Sequence, residues 1–529
     1  MACLAVAAAI AVGAVDAAAA KSLVYCAEGS PAGFDPARHT DPATLDASAQ
    51  ALYDRLVRFE PGTTRIVPGL AERWEISSDG LEYTFHLRPG VRFQGTADFT
   101  PARPLNADDV IFSFERQWRE DSPWYDAAPD GWPWFSGLAL PFVLRDIRKV
   151  DDLTVRFVLQ RPHAPFLADL AMDFASILSK EYADRLLAAD DREALDAAPV
   201  GTGPFRLAEH VGGALVRYEA NPGYWGGRPP LDGLVFDVTP DPGVRFEKLK
   251  SGDCQVIPSP NVADLAAIRS AAGLRLLEGP GLALAFVAFN TAQPPFDRAR
   301  VRRAVAGAID RGALVAEVFG GAATPATAPL SSLMPGGTER APAPFDAEAA
   351  RGAVAAAGAA GTALPLWSLS AIRPYDPDPA RFAAMIRDDL ARAGLETKAV
   401  SPKPEAFLAE TLSPDRDGAV LLGWVSDNGD PDNLLAPLLG CEAVGISNRA
   451  NWCDPRFDAL LAEARAARDP AVRARLYAEA DRIVADEMPI VPLLYAGQVV
   501  ATRDTVTGYV VDPFGRHNFA TVDIAAEPD

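Results

Sequence analysis

Ala419-Val420-Leu421-Leu422-Gly423-Trp424-Val425-Ser426-Asp427-Asn428-Gly429-Asp430-Pro431-Asp432-Asn433 sets an apolar run directly before an aromatic ring and a group of carboxylates. The run reads as a buried strand. The chain therefore leaves a sheet and carries Trp424 and Asp427 just past the strand's carboxyl end, where open α/β sheets bind their ligands. Upstream, Leu364-Pro365-Leu366-Trp367-Ser368-Leu369 makes a similar exit into Ile372-Arg373-Pro374-Tyr375. One strand end offers an acid and the other an arginine, a pairing that suits a small zwitterion. Asp430 and Asp432 read instead as caps of a helix or turn.

Around this stretch, helical and extended periodicities alternate. Helices are expected near 297–309, 346–357, 379–393, 454–467 and 470–486, with strands near 283–290, 396–400 and 490–494, a βαβ-built second half. The first half is richer in strands. Trp74-Glu75-Ile76 and Tyr83-Thr84-Phe85-His86-Leu87 alternate across a Ser78-Asp79-Gly80 turn as a hairpin does. Residues 44–59 carry apolar side chains at helical spacing, and Asn106 with Asp109 reads as a helix start. At 529 residues the chain exceeds one ordinary core, so two or three domains are expected.

The chemistry of hydrolases is missing from the sequence. There is no Gly-x-Ser-x-Gly elbow, no His-Glu-x-x-His and no phosphate-cradling Gly-x-x-x-x-Gly-Lys. Gly201-Thr202-Gly203-Pro204-Phe205 is a turn, because Pro204 and Phe205 spoil it as a cradle. The 71 acidic against 50 basic residues give a net charge of −21, which repels phosphate backbones and excludes nucleic acid as a partner. Residues 2–20 are alanine-rich and apolar, ending Ala18-Ala19-Ala20, as an export signal does, although no Lys or Arg precedes them. Cys3 lacks the context of a lipid anchor. The remaining cysteines, Cys26, Cys254, Cys441 and Cys453, allow three disulfide connectivities in an exported protein. Pairing Cys441 with Cys453 closes a loop of about a dozen residues, worth roughly 3 kcal/mol. No Cys-x-x-Cys occurs and the histidines are scattered, so neither a metal site nor a cofactor is expected.

Several stretches, in order, resemble the dipeptide-binding proteins of bacterial ABC importers, within the family 5 peptide and nickel receptors. They include Leu23-Val24-Tyr25-Cys26, Val67-Pro68-Gly69-Leu70-Ala71-Glu72, Leu105-Asn106-Ala107-Asp108-Asp109-Val110, Pro165 to Tyr182, Gly223-Tyr224-Trp225-Gly226 and Gly508-Tyr509-Val510-Val511-Asp512-Pro513. The resemblance implies an α/β, two-lobed periplasmic binding protein fold (type II, cluster C-like), its lobes joined by two strands. A signal peptide would occupy 1–20. Lobe 1 would comprise 21–60, 186–279 and 498–529, with an extra β-rich subdomain at 61–185, and lobe 2 would be 280–497.

The resemblance also implies a non-enzymatic periplasmic receptor for dipeptides or short peptides, monomeric, with an ABC permease as partner and a chemoreceptor as a further one. Asp427 would hold the peptide's ammonium and Arg373 its carboxylate. Gly29 and Ser30 on one side and Trp424 on the other would pair with the peptide backbone, with Tyr375 beside them. Disulfides Cys26–Cys254 and Cys441–Cys453 are implied too. Compared with that pattern, the Arg373–Asp427 separation is one residue longer, the Cys441–Cys453 loop is one shorter, and Ser370-Ala371-Ile372 differ. Haem, a nickel chelate or a longer peptide are the alternative cargoes; a secreted peptidase is the distant one.

Overall fold

The computed structural model describes residues 20–338 and 341–525. All but the last residue of the expected signal at 1–20 therefore lies outside the described residues, as does Cys3. The architecture is built on one sheet that runs through the whole molecule. Its strand order is Glu396–Val400, Ala363–Ser368, Ala419–Val425, Leu274–Phe289, Ile490–Arg503, Val256–Pro258, Ser22–Ala27, Gly233–Val238, Leu215–Ala220 and Phe205–Val211.

Two strands at its centre are far longer than the rest, Leu274–Phe289 with 16 residues and Ile490–Arg503 with 14. They pair antiparallel with each other along most of their length. At one end their neighbour is Val256–Pro258, and at the other it is Ala419–Val425. The ladder shifts register between Gly279 and Ala283. Gly279-Pro280-Gly281 looks like a turn, yet the strand continues, because Pro280 withholds its missing donor at a point where the ladder is already irregular. Gly281 is required there: a Cβ would sit 2.2 Å from the Ala496 carbonyl oxygen.

The apolar cores divide at this crossing. One cluster joins Leu23, Phe85, Phe157 and Leu234 to the carboxyl-terminal Val500, Val506, Phe519 and Val522. Two others cover opposite faces of the 363–425 strands, around Phe289 and Phe382 on one side and Leu422 and Tyr477 on the other. A second, four-stranded antiparallel sheet, Ala71–Ile76, Glu82–Leu87, Thr154–Leu159 and Leu144–Asp151, stands on the first core. The two ends of the described chain meet: Lys21 Nζ lies 2.8 Å from an Asp523 carboxylate oxygen. Among the described residues no helix is long and apolar enough to cross a membrane.

The hairpin, the Asn106–Asp109 capping box and the helices Ala347–Ala356, Pro379–Arg392, Pro455–Ala466 and Pro470–Glu487 are where the periodicity puts them. The expected helix at 44–59 is a correction. It ends at Ser48, and the chain returns as a strand at Val57–Phe59. The carbonyls of Ala51 and Leu52 accept instead from the N–H groups of Phe205 and Gly203, at 3.0 and 2.9 Å. Gly201 and Gly203 press so closely on Leu52 that only glycine fits, which is the purpose of the Gly-Thr-Gly turn. Both disulfides form, Cys26–Cys254 with Cα atoms 5.9 Å apart and Cys441–Cys453 with 4.6 Å.

Candidate functional site

Register alone brings three loops to one place. Ala363–Ser368 and Ala419–Val425 are parallel neighbours, Ser368 level with Leu421, so the Arg373 and Asp427 loops leave the same edge. Val425 is level with Ala283 in the long strand. From the other side, Tyr25 is level with Val256, Val256 with Thr502 and Thr502 with Arg275, so Ser22–Ala27 also runs toward the 279–283 crossing. Its exit loop carries Gly29 and Ser30. The carboxyl ends of strands from both halves thus face each other across the crossing, which is a cleft in the sense of the open-sheet rule.

On the Asp427 side the carboxylates have divided roles. Asp430 caps the helix Pro431–Leu439, accepting from Asp432 N–H at 3.0 Å, and pairs with Arg473 at 2.8 Å. Asp432 pairs with Arg465 at 2.8 Å. Asp427 is the one that, among the described residues, forms no ion pair. Its own N–H donates to Asn433 Oδ1 at 2.9 Å. Burial pushes its carboxyl up to about 6, against the opposing pull of Asn433 and the Arg516 charge. Next to it, Asn428 donates to Asp169 Oδ1 at 2.8 Å, which ties this loop to the first half. A half-buried carboxylate with no ion-pair partner gains when an arriving cation supplies one.

The Arg373 side is built differently. Arg373 and Asp376 exchange backbone hydrogen bonds at 3.0 and 2.9 Å, which makes Pro374-Tyr375 the tip of a tight turn. The Arg373 side chain is exposed and, among the described residues, pairs with no acid; Ile372 beside it is 71% exposed. Asp376 is buried with one carboxylate oxygen unpartnered, and burial pushes it up to about 7. Tyr375 lies half-buried with its ring over Gly423, where a Cβ would meet the ring's Cγ at 2.1 Å. Trp424 is half-buried and fixed by its indole N–H, which donates to the Asn433 carbonyl at 3.0 Å. Gly29 and Ser30 are half-buried, Ser30 Oγ accepting from Gly213 N–H at 3.1 Å; among the described residues no hydrogen bond joins them to the opposite loops.

A cavity of about 110 Å³ adjoins Asp427. Its apolar wall is Phe59, Trp134, Met172 and Phe514. Arg516 and Asp173 also line it and pair at 2.5 Å, with Gln50 donating to Asp173 at 2.7 Å. Asp512 faces the same space. None of these stands out in the sequence as a site residue, because they come from four separate segments that only the fold assembles.

The profile of the bacterial extracellular solute-binding proteins, family 5 (middle region), matches residues 65–445. The chain belongs to this family. Among its relatives, the dipeptide-binding protein of Escherichia coli K12 is 43% identical over 96% of this chain and 95% of that protein. Heme-binding protein A of Haemophilus influenzae is 42% identical over 95% and 92%. Of solved structures, HbpA2 from Haemophilus parasuis superposes with a TM-score of 0.91 at 40% identity, covering 96% of this chain and all of that one. The dipeptide-binding protein of Pseudoalteromonas sp. SM9913 in complex with Met-Leu gives 0.76 at 35%, covering 95% and 100%. Family membership makes the molecule an extracellular solute receptor. The two-lobed α/β reading of the sequence agrees with these neighbours.

Proposed function

We propose that this receptor captures dipeptides in the periplasm and hands them to an ABC permease, as an exported monomer whose signal is cleaved near residue 20. The lobe boundaries read from the sequence, 21–60 with 61–185, 186–279 and 498–529 against 280–497, belong to the same reading. Asp427 takes the ammonium and Arg373 the carboxylate. Trp424 and the Gly29–Ser30 loop flank the peptide backbone, with Tyr375 at the carboxyl side. A chemoreceptor is a further partner of the loaded form. The observation that carries the reading is the parallel register that sends off one sheet edge an acid and an arginine that, among the described residues, form no ion pair. Opposite charges fixed at two loops select for terminus-to-terminus length while leaving side chains free, and arginine suits a carboxylate through paired donors. Closure over the guest is a hinge motion that the bound ligand favours.

Native mass spectrometry of protein purified from its own periplasm tests this. Mass increments of dipeptides are expected, together with calorimetric binding of Ala-Ala that is lost when its amine is acetylated. Haem is the second reading, favoured by the relative named for it; a tetrapyrrole mass, with no heat from Ala-Ala, makes it the correct one.

A further inference from the structure

We propose that Asp512 is a second carboxylate at the amino end of the site and makes the receptor prefer dipeptides whose first residue carries a cationic side chain. The inference rests on the reading of Asp427 as the ammonium acceptor and names the ligand class that follows from it.

The first residue's Cα is bonded directly to the ammonium nitrogen, so its side chain must begin beside Asp427. The space adjoining Asp427 is the cavity of about 110 Å³. On the same measure a single water molecule needs only about 10–15 Å³, so the cavity has room for an extended side chain. Its wall of Phe59, Trp134, Met172 and Phe514 suits an aliphatic stem.

The charges around the cavity decide what the tip of that stem meets. Arg516 is committed to Asp173 at 2.5 Å, and Arg55 Nη1 stands 3.5 Å from the other oxygen of the same carboxylate. Arg58 sits at the exposed edge, donating to the Pro68 carbonyl at 3.4 Å. Asp512 is different. Its carboxylate accepts from the Phe514 N–H at 2.9 Å, and among the described residues no lysine or arginine pairs with it. Burial pushes its carboxyl up to about 6, with the Phe514 N–H and the Arg516 charge pulling the other way. A carboxylate has room for about four hydrogen bonds. Asp512 therefore holds unused acceptor capacity and, among the described residues, no ion-pair partner, its charge offset only in part by Arg516, whose guanidinium is paired with Asp173, and it lines the space on the ammonium side of the cleft. A lysine or arginine tip would supply both a donor and an ion-pair partner, while a neutral chain of equal length would supply neither.

Calorimetry with Ala-Ala, Lys-Ala and norleucyl-alanine separates the possibilities. The wild-type receptor should bind Lys-Ala at least about tenfold more tightly than norleucyl-alanine, a charge-assisted contact of ordinary size. In Asp512→Asn, whose amide oxygen can still accept from Phe514 N–H, that ratio should fall to near one. The reversed pair, Ala-Lys and alanyl-norleucine, should show no comparable preference in the wild type, and this comparison needs no variant. If Ala-Ala binds but Lys-Ala gains nothing over norleucyl-alanine, or the gain survives Asp512→Asn, the inference is overturned and the dipeptide reading stands. If the wild type binds none of these peptides, the dipeptide reading itself has failed and Asp512 falls with it.

Discussion

The loops that follow Ala363–Ser368 and Ala419–Val425 leave one sheet edge side by side, yet they are built on opposite plans. The Asp427 loop is pinned: Asn433 holds its backbone, Asn428 reaches across to Asp169, and helix capping and ion pairs use up Asp430 and Asp432. The Arg373 loop is a tight turn whose arginine stands in solvent beside an exposed isoleucine. One end of the site is preorganised and the other conforms. A receptor that must take many peptides gains from this asymmetry. In the proposed site the Asp427 end would contribute affinity through a partly desolvated charge, and the exposed Arg373 end would tolerate differences in the residue it meets.

The contrast predicts unequal consequences. Asp427→Ala should weaken binding of Ala-Ala at least about thirtyfold by calorimetry, since removing one partner of a buried charge pair costs roughly 2–5 kcal/mol. An effect within twofold would mean that the ammonium is held elsewhere. Acid should act on the same end. The ionised carboxylate is the form that receives an ammonium, and burial places its titration at about 6. Affinity should therefore be highest near pH 7 and fall as pH drops through about 6, by about tenfold between pH 7 and pH 5, where Ala-Ala keeps both its charges. A flat profile would place Asp427 outside the site. Arg373→Met should be milder, about fivefold, because an exposed charge is worth at most about 1 kcal/mol. Its loss should appear mainly in the association rate measured by stopped flow. A larger loss than that of Asp427→Ala would reverse the assignment of the rigid and pliant ends.

Much of this was legible from residue order. The strand before Gly423 and the helices near 346–357, 379–393 and 454–467 announce themselves by pattern, because local hydrogen bonds, the caps of Asp346, Asp378 and Asp454 among them, decide them. Residues 44–59 carry helical spacing but lose their helix after Ser48, since the Ala51 and Leu52 carbonyls are claimed by residues about 150 positions away in sequence. The first part of Leu274–Phe289 was hidden for the opposite reason. Its glycines and proline look like a turn, and only pairing with Ile490–Arg503 makes them a strand. In the site, Asp427 and Arg373 follow apolar runs and can be singled out from the chain. Asp512 sits in a Gly-Tyr-Val-Val-Asp-Pro stretch that marks the family but not a binding residue, and the cavity it lines exists only once five segments meet.

Lys21 and Asp523 lie side by side, and the core behind them needs Val500, Val506, Phe519 and Val522 as well as Leu23. The half made first cannot complete itself until the ribosome has delivered almost the last residue, because the entire second half is spliced between its pieces. If the chain is exported as proposed, that late closure keeps this core open until its far end has arrived.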